Sequence, residues 1–322
     1  MSEAPLSATA PVCYRHPSRE TYVRCARCDR PICPSCMNVA SVGHQCPECV
    51  ALGRKTQRQV RTAFGGTHAG ARGYVTIGLI VVNCIMLIIS TLSAKAPGST
   101  LFGGGMGGLL GGSTPLDMHL AVAGEGILNG HVVPYGVSQG EYYRLFTAMF
   151  MHFGLVHLAL NMITLWYIGR PLETLLGPVR FLALYLICGI GGNVACYLFS
   201  PNSLSAGAST ALFGLFGALF IMLRKLNLNA NALMPIIIIN LVITFTASDI
   251  SIPGHIGGLL TGVAVGYAFA HAPQANRTQI QAAAIVVALI VFAAASLFQT
   301  HHIKQEAITA TAPISREFRP PA

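Results

Sequence analysis

Two residue types that act together in acyl transfer, a serine and a histidine, stand near the starts of two apolar stretches. Ser209 lies in the sequence Gly-Ala-Ser-Thr, and His255 lies in the sequence Gly-His-Ile-Gly-Gly. A serine hydroxyl becomes an effective nucleophile when an adjacent imidazole takes its proton. The pair therefore predicts a nucleophile and its base working at membrane depth.

Three further polar residues, His152, His157 and Asn161, fall in an earlier apolar stretch. In a helix, His157 and Asn161 are four residues apart and share one face, whereas His152 would point about 140° away. Polar side chains at membrane depth are costly unless they face a partner or water. We therefore expect His157 and Asn161 to face the site and His152 to have a structural role.

Glycines follow His255 at helical spacing. His255, Gly258 and Gly262 stand at positions i, i+3 and i+7, while Ser209 and Phe213 are four residues apart. Small residues on one face let two membrane helices approach closely. This pattern predicts that the helices of Ser209 and His255 pack tightly enough for the two side chains to form a hydrogen bond.

A second group of chemistry-bearing residues lies near the amino terminus, where four ligand pairs have the CxxC or CxxH spacing. Eight ligands suffice for two tetrahedral zinc sites. Disulfides are the alternative, but the first 60 residues contain no apolar signal-peptide region, which favours a reducing compartment and metal. The ligands are Cys13, His16, Cys25, Cys28, Cys33, Cys36, Cys46 and Cys49, with His44 as a possible substitute for Cys46.

The order of these pairs resembles B-box-type cross-braced zinc fingers. The resemblance implies that the first and third pairs (Cys13, His16, Cys33 and Cys36) share one ion and the second and fourth pairs (Cys25, Cys28, Cys46 and Cys49) the other. A domain of this size has only a small hydrophobic core, and we therefore expect metal binding to supply its folding energy. Nothing in it resembles a base-reading recognition helix. A structural or protein-interaction role is therefore favoured over nucleic-acid binding.

The elements that position these residues are membrane spans. The chain is 53% hydrophobic and 10% charged, with a mean hydropathy of +0.58. Seven apolar stretches approach the ~20 residues needed to cross a bilayer. They cover residues 74–93, 149–170, 178–199, 207–224, 230–247, 254–271 and 280–299. We expect an all-α multi-pass protein of the cell membrane.

Charge gives the expected orientation of the spans. Arg54, Lys55, Arg58, Arg61 and Arg72 precede the first span, which places the amino terminus in the cytoplasm. Spans two, four and six then run from outside to inside. The candidate polar residues lie near the starts of these spans, so the site should open to the outer face.

Four linked motifs resemble the rhomboid intramembrane serine proteases. The resemblance covers about residues 140–271, in the expected order and on the expected spans. Thr210 stands where the family usually has glycine, although its backbone N–H remains available. The motifs are Tyr143-Arg144, His152-x4-His157-x3-Asn161, Gly207-x-Ser209 and His255-x2-Gly258-x3-Gly262.

The resemblance implies an endopeptidase that cleaves transmembrane segments of membrane proteins with a Ser209–His255 dyad. His157, Asn161 and the backbone N–H of Ser209 would stabilise the oxyanion, and catalysis would need no cofactor. Phe213 would pack beside His255. Arg144 would anchor the first loop through backbone carbonyls or lipid headgroups.

The implied architecture is a six-helix rhomboid core with an added seventh helix and a zinc-binding head. The expected boundaries are 1–52 for the head, 53–73 for a basic linker, 74–271 for the core and 272–322 for the last helix and tail. Loop one would cover 94–148.

Two alternatives remain: a proteolytically inactive rhomboid relative that binds membrane clients, and a transporter or channel. A transporter or channel would require internal repeats or charged residues near the middle of the membrane, which the sequence lacks.

Overall fold

The chain divides into two compact units, Met1–Val60 and Arg61–Ala322. The computed structural model describes residues 10–56, 61–67, 73–93, 114–128, 131–133, 135–246 and 251–311. Arg58 and Arg72 of the expected linker lie outside these ranges. The boundaries expected from the sequence for head, linker, core and tail stay predictions.

The smaller unit consists of two short hairpins and a helix. Its buried interior contains Ile32 and cysteine side chains and little other apolar material. Hydrophobic burial of this extent is too small to stabilise a domain of this size without a further contribution. The elements are β1 (Val12–Cys13), β2 (His16–Glu20), β3 (Asn38–Val39), β4 (His44–Gln45) and α1 (Pro47–Thr56), with β1 paired to β2 and β3 to β4, both antiparallel.

The larger unit is mainly helical, as the sequence predicts. Its first part contains α2 (Tyr74–Ser93), α3 (Pro115–Leu120), the antiparallel strands β5 (Gly126–Leu128) and β6 (His131–Val133), and α4 (Arg144–Thr147). The long helices that follow are α5 (Leu155–Leu176), α6 (Pro178–Phe199), α7 (Ser209–Lys225), α8 (Met234–Thr246), α9 (Ile252–His271) and α10 (Arg277–Thr311).

Helix α7 lies at the centre of this unit and packs against α6 and α9. Most of its side chains are buried, including Phe216 and Met222. Glycines permit this packing, since a Cβ added at Gly192 of α6 would lie 2.6 Å from Cβ of Thr210 on α7. The central helix is therefore held by close backbone contacts as well as by apolar side chains.

Four helices of the described residues are long and apolar enough to cross a membrane: α2, α6, α9 and residues 277–306 of α10. A fifth span results if residues 144–150 and α5 count as one segment bent by 90°. Helix α7, with 17 residues, and α8, with 13, are shorter. The chain is thus a multi-pass membrane protein, although length and hydropathy identify fewer spans than the seven expected.

Several boundaries differ from those expected. The span expected at 149–170 is wrong at both ends, because α5 runs from Leu155 to Leu176. Gly154 has φ +95°, a left-handed conformation that ends the preceding segment and lets α5 start in a new direction. The expected span 230–247 begins with a 3-10 turn, Ala230–Leu233, before α8.

Loop one contains ordered structure next to α2. Thr114 and Asp117 form a reciprocal capping box at the start of α3, which satisfies two backbone donors of that helix. The Ser90 hydroxyl of α2 lies 2.6 Å from Thr114 Oγ1 and 3.2 Å from Asp117 Oδ1. These buried contacts fix α3 against the end of α2.

Candidate active site and metal sites

Ser209 and His255 meet at the amino-terminal ends of α7 and α9. Ser209 is the first residue of α7, and its Oγ lies 2.8 Å from Nε2 of His255. His255 is 6% exposed. The turn before it is fixed by Ser251, whose side chain accepts a hydrogen bond from the Gly254 N–H. A hydroxyl and an imidazole at this distance can exchange a proton directly.

The expected glycine face of α9 lies against α7. A Cβ on Gly258 would collide with the carbonyl of Thr210, and one on Gly262 would collide with the carbonyl of Gly214. Only a hydrogen atom fits at either position. The close approach of these two helices brings Ser209 and His255 within hydrogen-bond distance.

Two side chains hold the ring of His255. The Phe213 ring stacks on it with centroids 4.1 Å apart and an interplanar angle of 16°. Thr244 of α8 places its Oγ1 2.7 Å from Nδ1 of His255. Thr244 is not among the residues predicted from the sequence, because a threonine in an apolar helix commonly bonds its own helix, as Thr164 does with the Leu160 carbonyl.

His157 lies close to Ser209. A Cβ added at Gly207 would be 2.8 Å from His157 Nε2 and 3.4 Å from Ser209 Oγ, so Gly207 leaves a small space between these groups. Asn161 is buried on the same helix and donates from Nδ2 to the His157 carbonyl at 3.0 Å.

The expectation that His152 points away from this region is wrong. Its Nε2 accepts a hydrogen bond from the Ala208 N–H at 3.4 Å, and its ring lies edge-on to His157, with centroids 5.1 Å apart. His152 and His157 do not lie on one continuous helix, because α5 begins only at Leu155. His152 therefore contacts the residue immediately before Ser209.

Thr210, which stands where the resemblance expects glycine, directs its side chain into the helix packing. A Cβ added at Gly192 would lie 2.6 Å from Thr210 Cβ, and one added at Gly254 would lie 3.1 Å from Thr210 Cγ2. Thr210 itself is 5% exposed. The extra bulk is thus accommodated by glycines on α6 and α9.

Arg144 is fully buried and binds loop one from within. Its NH1 donates to the carbonyls of Met118 at 2.7 Å and Ala121 at 3.0 Å, and its Nε donates to Glu141 Oε2 at 2.7 Å. Of the two partners expected, backbone carbonyls and lipid headgroups, the structure shows the carbonyls.

The eight metal-ligand candidates form two clusters, Cys13, His16, Cys33 and Cys36 in one and Cys25, Cys28, Cys46 and Cys49 in the other. Within each cluster all ligand atoms lie within 4.8 Å of one another. The Cys33 and Cys36 Sγ atoms are 3.3 and 3.4 Å from His16 Nδ1. Tetrahedral zinc, with bonds of about 2.3 Å to sulfur and about 2.1 Å to nitrogen, separates two sulfur ligands by about 3.8 Å and a sulfur and a nitrogen ligand by about 3.6 Å. In the second cluster the Cys28 and Cys46 Sγ atoms are 3.7 Å apart, so each cluster fits a bound metal.

The electrostatics of the first cluster also fit a cation. Burial, with the neighbouring Cys13 and Cys33 thiols, raises the pKa of Cys36 to about 11. Burial opposes ionisation of Cys13 as well, but hydrogen bonds from backbone groups such as that of Cys33 lower its pKa to about 6. The thiols therefore cannot all ionise readily by themselves, and a bound cation would stabilise the thiolates.

Comparisons with known proteins identify the family. A family model for the Rhomboid domain matches residues 139–272. The putative rhomboid protease YdcA of Bacillus subtilis (strain 168) is 33% identical over 138 residues, which cover 41% of this chain and 69% of that protein. The chain belongs to the rhomboid family. The matched rhomboid segment contains both Ser209 and His255.

Other rhomboid relatives match over a smaller share of their length. The chain is 44% identical to rhomboid protease GluP of Bacillus subtilis (strain 168) over 134 residues, 39% of this chain and 26% of that protein. It is 36% identical to RHOMBOID-like protein 6, mitochondrial, of Arabidopsis thaliana over 146 residues, 44% of this chain and 48% of the relative. The chain therefore spans less than half of these two rhomboid relatives.

Proposed function

We propose that this rhomboid family member is a serine endopeptidase that cleaves membrane-spanning segments of other proteins. The observation that carries the proposal is the 2.8 Å contact between Ser209 Oγ and His255 Nε2 inside a helical membrane unit. Ser209 would attack the peptide carbonyl while His255 takes its proton, and His255 would then return the proton to the leaving amine.

The space at Gly207 supports a location for the developing oxyanion. An oxygen there would lie between His157 Nε2 and the serine. The backbone N–H of Ser209 and the Asn161 amide would supply further donors. One Asn161 N–H is engaged with the His157 carbonyl, but the amide group carries two. Donors placed where charge develops lower the barrier to acyl transfer.

The apolar helices of the unit that contains the site support a membrane-spanning substrate. A transmembrane helix hides its carbonyls in backbone hydrogen bonds, so cleavage should favour segments with small or helix-breaking residues that unwind readily.

The charges at the end of α7 bear on the orientation of the site. Ser209 starts α7 and the basic pair Arg224 and Lys225 ends it. In the cell membrane that we propose, the basic end of α7 would lie on the cytoplasmic side and Ser209 near the outer face. The basic residues before α2 would keep the amino terminus cytoplasmic.

We also propose that both clusters of the amino-terminal unit hold zinc. Seven thiolate ligands and one imidazole in two four-ligand sets match structural zinc sites. The metal would stabilise the small unit, which could then serve as a structural or protein-binding module. Zinc would take no part in peptide hydrolysis.

The proposed nucleophile is testable with a fluorophosphonate probe, which reacts with activated serines. Wild-type protein in detergent should be labelled, whereas Ser209→Ala and His255→Ala should each lose labelling and cleavage of a reconstituted transmembrane substrate. Ser203→Ala is the matched control, because Ser203 is exposed and its hydroxyl donates to the nearby Ser200 carbonyl. It should react like wild type.

Two results would contradict the proposal. Folded Ser209→Ala protein that still cleaves the substrate at the wild-type rate would exclude Ser209 as nucleophile. Wild-type protein that is folded but neither labelled nor active on any transmembrane substrate would favour the inactive, client-binding alternative.

A further inference from the structure

Thr244 makes a contact that the serine–histidine pair does not require. It lies on α8, is 1% exposed, and places Oγ1 2.7 Å from Nδ1 of His255. The same oxygen lies 2.7 Å from the backbone carbonyl of Asn240. Thr244 therefore joins the imidazole to a fixed acceptor on its own helix.

The hydrogen-bonding capacity of these atoms determines where the protons lie. A carbonyl oxygen only accepts, so the single hydroxyl proton of Thr244 is donated to Asn240. Oγ1 then acts towards His255 as an acceptor, and Nδ1 must carry a proton to donate to it. A neutral imidazole has one N–H, so Nε2 is left with its lone pair directed at Ser209.

We infer that Thr244 is a positioning residue for the proposed protease, holding His255 in the tautomer that can accept the Ser209 proton. This inference rests on the proposed function of the Ser209–His255 pair. If Thr244 instead donated to Nδ1, the proton of His255 would be on Nε2 and the ring could not act as a base towards Ser209.

The two contacts of the ring have different effects. The stacked Phe213 ring restrains the plane of the imidazole, but a stacking contact does not distinguish the two tautomers. Thr244 does distinguish them, since its oxygen accepts only from a protonated Nδ1. A neutral hydroxyl thus stands at the atom that a carboxylate contacts in a serine–histidine–aspartate triad.

The test compares three variants in the full-length protein. Thr244→Val keeps the shape of the side chain but removes the acceptor, whereas Thr244→Ser keeps the hydroxyl. Thr164→Val is the matched control, because the Thr164 hydroxyl also bonds a carbonyl four residues earlier, at 2.8 Å, and lies on α5. The readouts are the maximal rate and the half-saturating concentration of labelling by a fluorophosphonate probe.

Loss of one hydrogen bond that favours the reactive tautomer should lower the maximal labelling rate of Thr244→Val about 10-fold. The half-saturating probe concentration should not change, since Thr244 would act through His255. Thr244→Ser and Thr164→Val should label at close to the wild-type rate. A maximal rate for Thr244→Val equal to that of wild type would overturn the inference while leaving the Ser209–His255 pair intact.

A direct measurement covers the case in which Thr244→Val does not fold. Nitrogen-15 NMR of histidine-labelled wild-type protein, with His255→Ala used to assign the signal, reports which ring nitrogen carries the proton. A protonated Nδ1 and an unprotonated Nε2 support the inference, and a protonated Nε2 refutes it. Absence of probe labelling in the wild type would refute the proposed function instead, so the two failures are distinct.

Discussion

His255 receives contacts from side chains on two other helices. Ser209 and Phe213 approach from α7, and Thr244 approaches from α8. Several other polar side chains of the membrane unit bond instead to a backbone carbonyl of their own helix: Asn83 donates to Leu79, for example. A polar residue in an apolar helix is therefore informative only when its partner is known.

Arg144 is a single buried cation whose hydrogen bonds should contribute to the stability of the protein. Replacing it with alanine would remove the Arg144 donor from the carbonyls of Met118 and Ala121. It would also remove one of two donors to Glu141 Oε2, which keeps the Gly136 N–H. We expect Arg144→Ala to destabilise the protein by about 3 kcal/mol, because buried acceptors lose their hydrogen bonds. Thermal unfolding in detergent measures the loss.

The control for this prediction is Arg224→Ala, since Arg224 is an exposed arginine at the end of α7. Its unfolding temperature should stay close to that of wild type. If Arg144→Ala unfolds at the same temperature as the control and keeps full activity, the anchoring role of Arg144 is wrong.

At the scale of elements, glycine contacts between α7 and α9 determine the spacing of the site. The backbones of Gly214 and Gly262 meet so closely that no Cβ fits between them. The same contact stabilises the helix pair and sets the distance between Ser209 and His255. Packing and reactivity should therefore respond together to a change at this interface.

Gly262→Ala tests this coupling. The added methyl group would collide with the Gly214 carbonyl, and overpacking of this kind typically costs about 1–3 kcal/mol. We expect a lower unfolding temperature together with slower probe labelling of Ser209, because the helices must separate.

Gly78→Ala is the matched control, because Gly78 is an exposed helical glycine and no atom of the described residues lies within 4 Å of an added Cβ. Alanine favours helix over glycine by up to about 1 kcal/mol, so this variant should be as stable as wild type or slightly more stable. If Gly262→Ala and Gly78→Ala have the same unfolding temperature and the same labelling rate, the α7–α9 contact tolerates the added methyl group.

At the scale of the whole molecule, the rhomboid match and the metal clusters fall in different units. The Rhomboid domain model covers 139–272, whereas both clusters lie within Met1–Val60. Helix α10 also lies beyond the matched segment, and its Thr300 hydroxyl is 3.0 Å from Tyr142 and 2.8 Å from Tyr197 in the family region. Helix α10 is thus bonded to residues within the family match.

Metal content tests the assignment of the amino-terminal unit. Purified full-length protein should contain about two zinc ions per chain, because the eight ligands form two four-ligand clusters. Cys49→Ala removes one ligand and should lower the content to about one. Elemental analysis after gel filtration gives the ratio.

Cys84→Ala is the control for metal content, since Cys84 belongs to neither cluster. It should retain about two ions. Wild-type protein with no stoichiometric zinc, or a single ion, would contradict the assignment of two sites.

Local patterns in the sequence were sufficient to predict several features. Paired ligand spacing predicted eight ligands for two metal sites, and long apolar stretches predicted a helical membrane unit. How the ligands divide between the two clusters came from the resemblance to cross-braced zinc fingers. The i, i+3, i+7 spacing of His255, Gly258 and Gly262 predicted the face of α9 that meets α7. These features depend on ligand number, hydropathy and helical periodicity, which are properties of short segments.

Contacts between segments were decided only by the tertiary structure. The sequence left open the partner of His255 Nδ1, since nothing local marks Thr244 among the threonines of the apolar helices. It misplaced His152 because the break at Gly154 interrupts the assumed helix. Periodicity defines the faces of one helix, whereas the rotation, depth and partner of that helix depend on how all the helices pack together.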